Sequence, residues 1–252
     1  MKNIFNIILT LCLINFSFYY TKEVSDYLKN KDPIMIKIKN NQDKYKTNPK
    51  DAIINNNTII PGISGRIVDT NNSYLKMKKI NTYNENMLIY KSILPTVSIT
   101  NHQDKYIISG NKENKKISIL LKTNNLDIIK KYNQNINFIL TNSFIKENQD
   151  YLKNIKNNII VNQNELINQD LISYCYNENI NKKNICKDYN KFTIVPTFIT
   201  HDYYYNTIKI LENGKILAYN ITNNNQKEID IIISTINNLN IEIVSLDELL
   251  KE

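Results

Sequence analysis

From Lys116 to the end of the chain, short apolar runs alternate with amphipathic stretches, and this alternation restricts the fold more than any other feature. "ISILLK" (117–122), "INFILT" (136–141), "NIIVNQ" (158–163), "KFTIVPTFI" (191–199) and "KILAYNI" (215–221) read as strands. Between them lie "NLDIIKKYN" (125–133), "SFIKENQDYLKNIKN" (143–157) and "KEIDIIISTINNLN" (227–240), with helical spacing of their apolar residues. "ISILLK" is apolar at successive positions, as suits a parallel strand covered on both faces. Strand, helix, strand in repetition means a parallel sheet wound by right-handed crossovers, an α/β fold. Ligands of such folds gather at the carboxyl ends of the strands. At the end of "ISILLK" stand Lys122, Thr123, Asn124 and Asn125, and none is an acid.

The preceding segment reads differently. From Pro33 to about Gly110 there are short β-like runs broken by turns, such as the alternating "IMIKIK" (34–39), "AIINNNTIIPGISG" (52–65) and "RIVDT" (66–70). A helix is expected over 72–80, capped by Ser73, with Tyr74, Met77 and Ile80 on one face. "NMLIYKSILPTVSI" (86–99) and "DKYIISGN" (104–111) read as further strands. Residues 33–112 are therefore expected to form a small α+β domain, and 116–252 the α/β domain.

At the N-terminus, Lys2 precedes the mostly apolar "IFNIILTLCLINFSFYY" (4–20) and the charged "TKEVSDYLKNKD" (21–32). Residues 1–22 match a signal anchor or signal peptide. No small-x-small cleavage site follows, so an uncleaved anchor through residues 4–20 is expected, although Asn6 and Asn15 interrupt the run. Leu11 stands where a lipoprotein signal has a small residue before its cysteine, which argues against lipid attachment at Cys12. On this reading the rest of the chain is extracytoplasmic and membrane-anchored. In an oxidising compartment Cys175 and Cys186 are candidates for a disulfide across a polar turn, with two free thiols as the alternative. Neither His102 nor His201 has zinc-like spacing to them.

The formal charge of +8 comes from 32 basic residues spread among 24 acids. Without a basic patch interleaved with aromatics, it does not indicate nucleic acid as a partner. The abundance of Asn, Ile, Lys and Tyr is what AT-rich codons produce, so Asn-rich stretches carry no functional signal by themselves.

Taken in order, "ISILLKTNNLDIIKKYNQNINFILTNSFIKENQDYLKNI", "GKILAYN" and "IEIVSLDELL" resemble the polysaccharide deacetylase family with its NodB-homology domain. The resemblance covers 116–250 and implies a distorted (β/α) barrel, here preceded by the small α+β domain and the N-terminal anchor. The segment holding "IIPGISGRIVD" and "DKYIISGN" is similar to an extension found beside such domains in Firmicute proteins. In the family the first strand ends in Thr-Phe-Asp-Asp-Gly, with one Asp as general base and the next as metal ligand. The resemblance places Lys122 and Thr123 at the two acids, Gln163 and Ile167 at the two metal-binding histidines, and Asn220 at the histidine near the end of the penultimate strand. The Arg-Pro-Pro-Tyr segment has no counterpart, since "SYCYNEN" lies where it should begin. His201 and Asp202 in "THDYYY" imitate the family's last motif but lack its strand context.

The expectation is a catalytically inactive deacetylase-like envelope protein with no catalytic residue, metal or cofactor, binding cell-wall glycan or an envelope protein. The alternative is an active metal-dependent carbohydrate N-deacetylase with displaced ligands, drawn from Asp202, Glu165 or Asp170. A third reading is a structural envelope protein whose barrel only supports the N-terminal domain.

Overall fold

The computed structural model describes residues 2–132, 134–153, 159–165, 172–181 and 183–252. The chain divides into two compact units, Met1–Asn48 with Gly65–Ile93, and Pro49–Ser64 with Leu94–Glu252. In chain order the elements up to Ile93 are α1 (Lys2–Lys31), α2 (Pro33–Asn41), β1 (Ile53–Asn55), β2 (Thr58–Ile60), β3 (Gly65–Val68), α3 (Thr70–Lys78) and β4 (Tyr90–Ile93).

In the first unit, β3 and β4 form an antiparallel pair, and α2 and α3 bury Ile34, Ile38 and Met77 with Val68 and Leu88. Residues 34–39, expected as a strand, lie in helix α2. The Asp32-Pro33 pair decides this: the Asp32 carboxylate accepts the Ile34 N–H at 2.8 Å, and Pro33 presets the first helical φ. Lys78, the Ile34 N–H and Tyr74 hold the Asp32 carboxyl below the usual carboxylate range. Helix α3 begins two residues before the expected 72, with Asp69 and not Ser73 as its cap. Ser73 lies buried inside the helix, its hydroxyl bonded to the backbone of Ile89. The Asn72 N–H and Lys91 keep the Asp69 carboxyl low.

Helix α1 carries residues 4–20, yet among the described residues no helix is long and apolar enough to cross a membrane. The expected anchor is therefore not supported. Asn6 and Asn15 dilute the apolar run, and the helix continues through Lys22, Glu23, Asp26 and Lys29.

The second unit continues with β5 (Tyr106–Ile107), β6 (Lys116–Lys122), α4 (Leu126–Lys131), β7 (Asn137–Ile139), α5 (Asn142–Glu147), α6 (Gln149–Leu152), β8 (Ile159–Asn162) and β9 (Ile172–Tyr176). There follow β10 (Phe192–Ile194), β11 (Thr197–Ile199), α7 (Tyr203–Ile210), β12 (Ile216–Asn220), α8 (Gln226–Asn238), β13 (Glu242–Ile243) and α9 (Leu246–Leu249). The strand order is β1-β2-β5-β10-β9-β8-β7-β6-β12-β11, with β13 beside the start of β6. Among the described strands of this sheet, β1 and β2 pair antiparallel and the other neighbours pair parallel.

This sheet curls into an open barrel. Four strands separate β9 from β11, so in a flat sheet Tyr176 and Phe198 would stand roughly 24 Å apart. Their ring centroids are 5.5 Å apart. Alternation along each strand sorts the core into two layers. Leu120, Ile139, Ile160, Tyr176, Ile194 and Ala218 fill the barrel with Leu246 and Leu249 from α9. Ile119, Leu121, Phe138, Leu217 and Tyr219 face the other way, against Ile128, Ile145, Ile229, Ile232 and Ile236 of the helices.

The expected division between 33–112 and 116–252 does not match the units, because β1, β2 and β5 extend the barrel sheet. Tyr106 pairs with Thr58 on one side and Thr193 on the other. The side chain of Glu252 closes the same region, accepting the N–H of Gly62 at 2.8 Å and of Ile99 at 3.0 Å.

Candidate functional site

The carboxyl ends of β6, β7, β8 and β9 surround a pocket of about 110 Å³ at the mouth of the barrel. Its lining comprises Lys122, Thr123, Asn124, Ile139, Leu140, Thr141, Asn162, Glu165 and Tyr176. Lys122 follows Leu120 by two positions and so shares its inward face. Its side chain reaches the pocket and makes no ion pair among the described residues.

The polar residues around it are fixed by local bonds. Asn124 accepts the Thr141 N–H at 3.1 Å and Asn162 accepts the Asn164 N–H at 3.0 Å, in each case through the side-chain oxygen. Among the described residues, neither carboxamide donates its NH2 group to a partner. Thr123 is buried; its N–H bonds the Ile139 carbonyl at 3.2 Å and its hydroxyl accepts the Asn125 N–H at 3.3 Å. Glu165 stands at the rim, where its carboxylate accepts the Asn142 N–H at 3.4 Å and its carbonyl accepts the Asn142 side-chain amide.

Asn220 and Gln163 are not in the lining of this pocket. Asn220 ends β12 in register with Lys122, exposed, and its carbonyl accepts the Tyr203 hydroxyl at 3.1 Å and the Asn225 amide at 2.9 Å. Gln163 is buried and gives its side-chain oxygen to the Ile185 N–H at 3.4 Å. Ile167, and Asp170 of the alternative reading, lie outside the described residues. His201 and Asp202 are both exposed, 3.5 Å apart, in the loop entering α7. His102 bonds the Ser98 carbonyl through Nδ1 at 2.9 Å. Deeper in the barrel, burial and the Asp247 carboxylate at 2.9 Å push the Tyr174 phenol well above its ordinary range.

Cys175 of β9 and Cys186 form a disulfide with Cα atoms 6.4 Å apart. It holds the segment after Ile185 against the strand whose last residue, Tyr176, lines the pocket. Closing a loop of this size restricts the unfolded chain by about 3 kcal/mol. Treatment with dithiothreitol is therefore expected to lower stability by about that amount, read in denaturant unfolding, whereas equal midpoints in both redox states would dismiss it.

The donor set does not suit a divalent cation. Among the described residues no three His, Cys, Asp or Glu side chains come together to hold a metal. Lys122 brings positive charge, Thr123 a hydroxyl already in use, and Gln163 an oxygen turned to Ile185. Thr141, Asn162 and Tyr176 were not singled out by sequence reasoning. They end or directly follow strands, and a rule inspecting the last residue of every parallel strand would have found Asn162 and Tyr176.

A barrel of parallel strands with this order and a polar mouth at their carboxyl ends is the deacetylase-like fold of carbohydrate esterase family 4, the NodB-like fold. The chain is similar to the wild-type CE4 family pseudoenzyme BA3943 of Bacillus anthracis, at 19% identity and a TM-score of 0.61 over 88% of this chain and 96% of that one. A mutant of that pseudoenzyme, described as having restored enzymatic activity, matches with a TM-score of 0.62 and 19% identity over 87% of this chain and 98% of that one. In sequence, the uncharacterized protein YlxY of Bacillus subtilis (strain 168) is 24% identical over 171 residues, 60% of this chain. The chain spans about half, 54%, of that relative's length. No family model matches the chain. Likeness at these identities establishes the fold.

Proposed function

We propose that this protein is a catalytically silent member of the deacetylase fold that works outside the cytoplasm by binding cell-wall glycan at the barrel mouth. The observation that carries the reading is the pocket itself. It occupies the place where the fold does its chemistry, yet Lys122, Thr123, Asn124 and Asn162 furnish it with hydrogen-bonding groups, and Glu165, the acid in its lining, is engaged by Asn142. Such a set holds hydroxyls, amides and oxyanions. The fold's likeness to a protein described as a pseudoenzyme supports the silent reading, and the Cys175–Cys186 disulfide supports an oxidising location.

The test is co-sedimentation of the full chain with purified peptidoglycan sacculi. Retention in the pellet, reduced by soluble glycan fragments, is the expected result. Protein that stays in the supernatant would set glycan binding aside and leave an envelope protein as the partner to seek.

A further inference from the structure

We infer that the barrel-mouth pocket selects an anionic substituent on the saccharide it binds, a carboxylate or phosphate, with Lys122 as the group that recognises the charge. This inference rests on the proposed glycan-binding reading and adds what kind of glycan is preferred.

Three observations carry it. First, Lys122 lines the pocket with no ion pair to a described residue, although Glu165 belongs to the same lining. Glu165 is instead engaged by Asn142. Secondly, Asn124 and Asn162 have committed their side-chain oxygens to backbone N–H groups, so what each can still offer is a pair of donors. An ammonium and two amide donors around one small space match the acceptor-only surface of an oxyanion, and charge-assisted bonds of this kind are about twice as strong as neutral ones. Thirdly, about 110 Å³ is small beside the roughly 300–1,000 Å³ of sites that enclose a whole ligand. The pocket therefore takes a substituent, while the sugar rings lie outside it. A neutral acetamido group offers the ammonium of Lys122 only a weaker hydrogen bond than an oxyanion does, which is the physical basis of selection.

Binding of the full-length protein to three probes tests this by isothermal titration calorimetry at low salt: peptide-free peptidoglycan strands bearing free lactyl carboxylates, a poly(glycerol phosphate), and neutral chitohexaose. At least one anionic probe is expected to bind about tenfold or more tighter than chitohexaose, and the two anionic arms tell carboxylate from phosphate. Lys122→Gln is expected to erase that difference, and Asn162→Asp to reduce it. Lys122→Glu, which also keeps a charged side chain at an exposed position, is expected to make the anionic probe the weaker ligand. Equal affinity for all three probes, or a preference that survives Lys122→Gln, would overturn the inference while leaving glycan binding intact. No binding to any probe would overturn both.

Discussion

Gly214→Val is expected to lower the thermal midpoint of the protein by about 10 °C, while Lys215→Ala, one residue further on, leaves it nearly unchanged. Gly214 has a φ of +82°, which a β-branched residue adopts only under strain. That strain costs about 1–3 kcal/mol. A Cβ at this position would also stand 2.5 Å from the carbonyl oxygen of Gly110, a backbone atom that cannot swing aside. The backbone there is tied on both sides: Gly110 donates its N–H to the Gly214 carbonyl at 2.7 Å, and Gly214 donates its own to the Lys116 carbonyl at 2.7 Å. Gly110 is confined in turn, since its own position lies against Leu249. The two costs together come to about 3–4 kcal/mol, and at about 2–4 °C per kcal/mol for a chain of this size they give the stated drop. Lys215 offers the contrast of a half-exposed ion pair at the surface with Glu212, a type that contributes little. A midpoint for Gly214→Val within about 3 °C of the wild type would show that the turn yields where the geometry says it cannot.

The role of Gly214 as a turn between a helix and a strand is legible in "ENGKILAYN", because a glycine ahead of an apolar run has few other readings. Its partner Gly110 is not legible. The two meet through pairing across about a hundred residues of chain, and nothing local marks such a meeting. The same contrast runs through the fold. Strand β6 and the unit from β12 to α9 can be read directly, since Ile117, Ile119, Leu120 and Leu121 within five residues, or Ile at positions 229, 232, 233 and 236, leave little choice. Strands β2 and β5 have three and two residues, too short for any period, and they join the barrel by parallel pairing, β5 to β10 and β2 to β5. For that reason the change of pattern near 112 does not coincide with the division between the two compact units. In "IMIKIK" the alternation of Ile and Lys suggests a strand, but Ile34, Met35 and Ile38 also share a helical face, and the capping pair Asp32-Pro33 selects the helix.

The candidate site is legible in part for the same reason. Lys122 can be found from sequence because it ends an unmistakable strand. Asn162 and Tyr176 end strands whose order in the barrel only tertiary pairing decides. The orientation of the amides of Asn124 and Asn162 depends on the backbone N–H groups of Thr141 and Asn164, which are details of loop geometry. Gln163, which the resemblance places where the family has a metal-binding histidine, is buried and accepts the Ile185 N–H in the segment that carries Cys186.

The double variant Lys122→Asp with Thr123→Asp is expected to gain zinc affinity by at least about a hundredfold and still release no acetate from chitohexaose. The two outcomes separate because they depend on different residues. A lysine about 4 Å from a divalent cation opposes it by roughly 8 kcal/mol at an effective dielectric of 20, twice the value for a pair of unit charges. Lys122 is exposed, and solvent reduces that figure, so a gain of about a hundredfold, near 2.7 kcal/mol, is the conservative expectation when the charge is reversed. Proton transfer is another matter, and a positioned acid or base contributes about 10²–10⁴-fold. Asn220, in register with residue 122 and in the place that the resemblance gives to histidine, has a carboxamide that does not exchange protons near neutral pH. Gln163 likewise presents an amide, and its oxygen is already bonded to Ile185. Acid side chains at 122 and 123 thus supply charge without supplying a proton donor. Equilibrium dialysis against zinc and an acetate assay on the same preparation read the two effects separately. Acetate release by the wild type or by the double variant, abolished by a chelator, would refute the silent reading and return the protein to the active deacetylases with Glu165 as the first ligand to test.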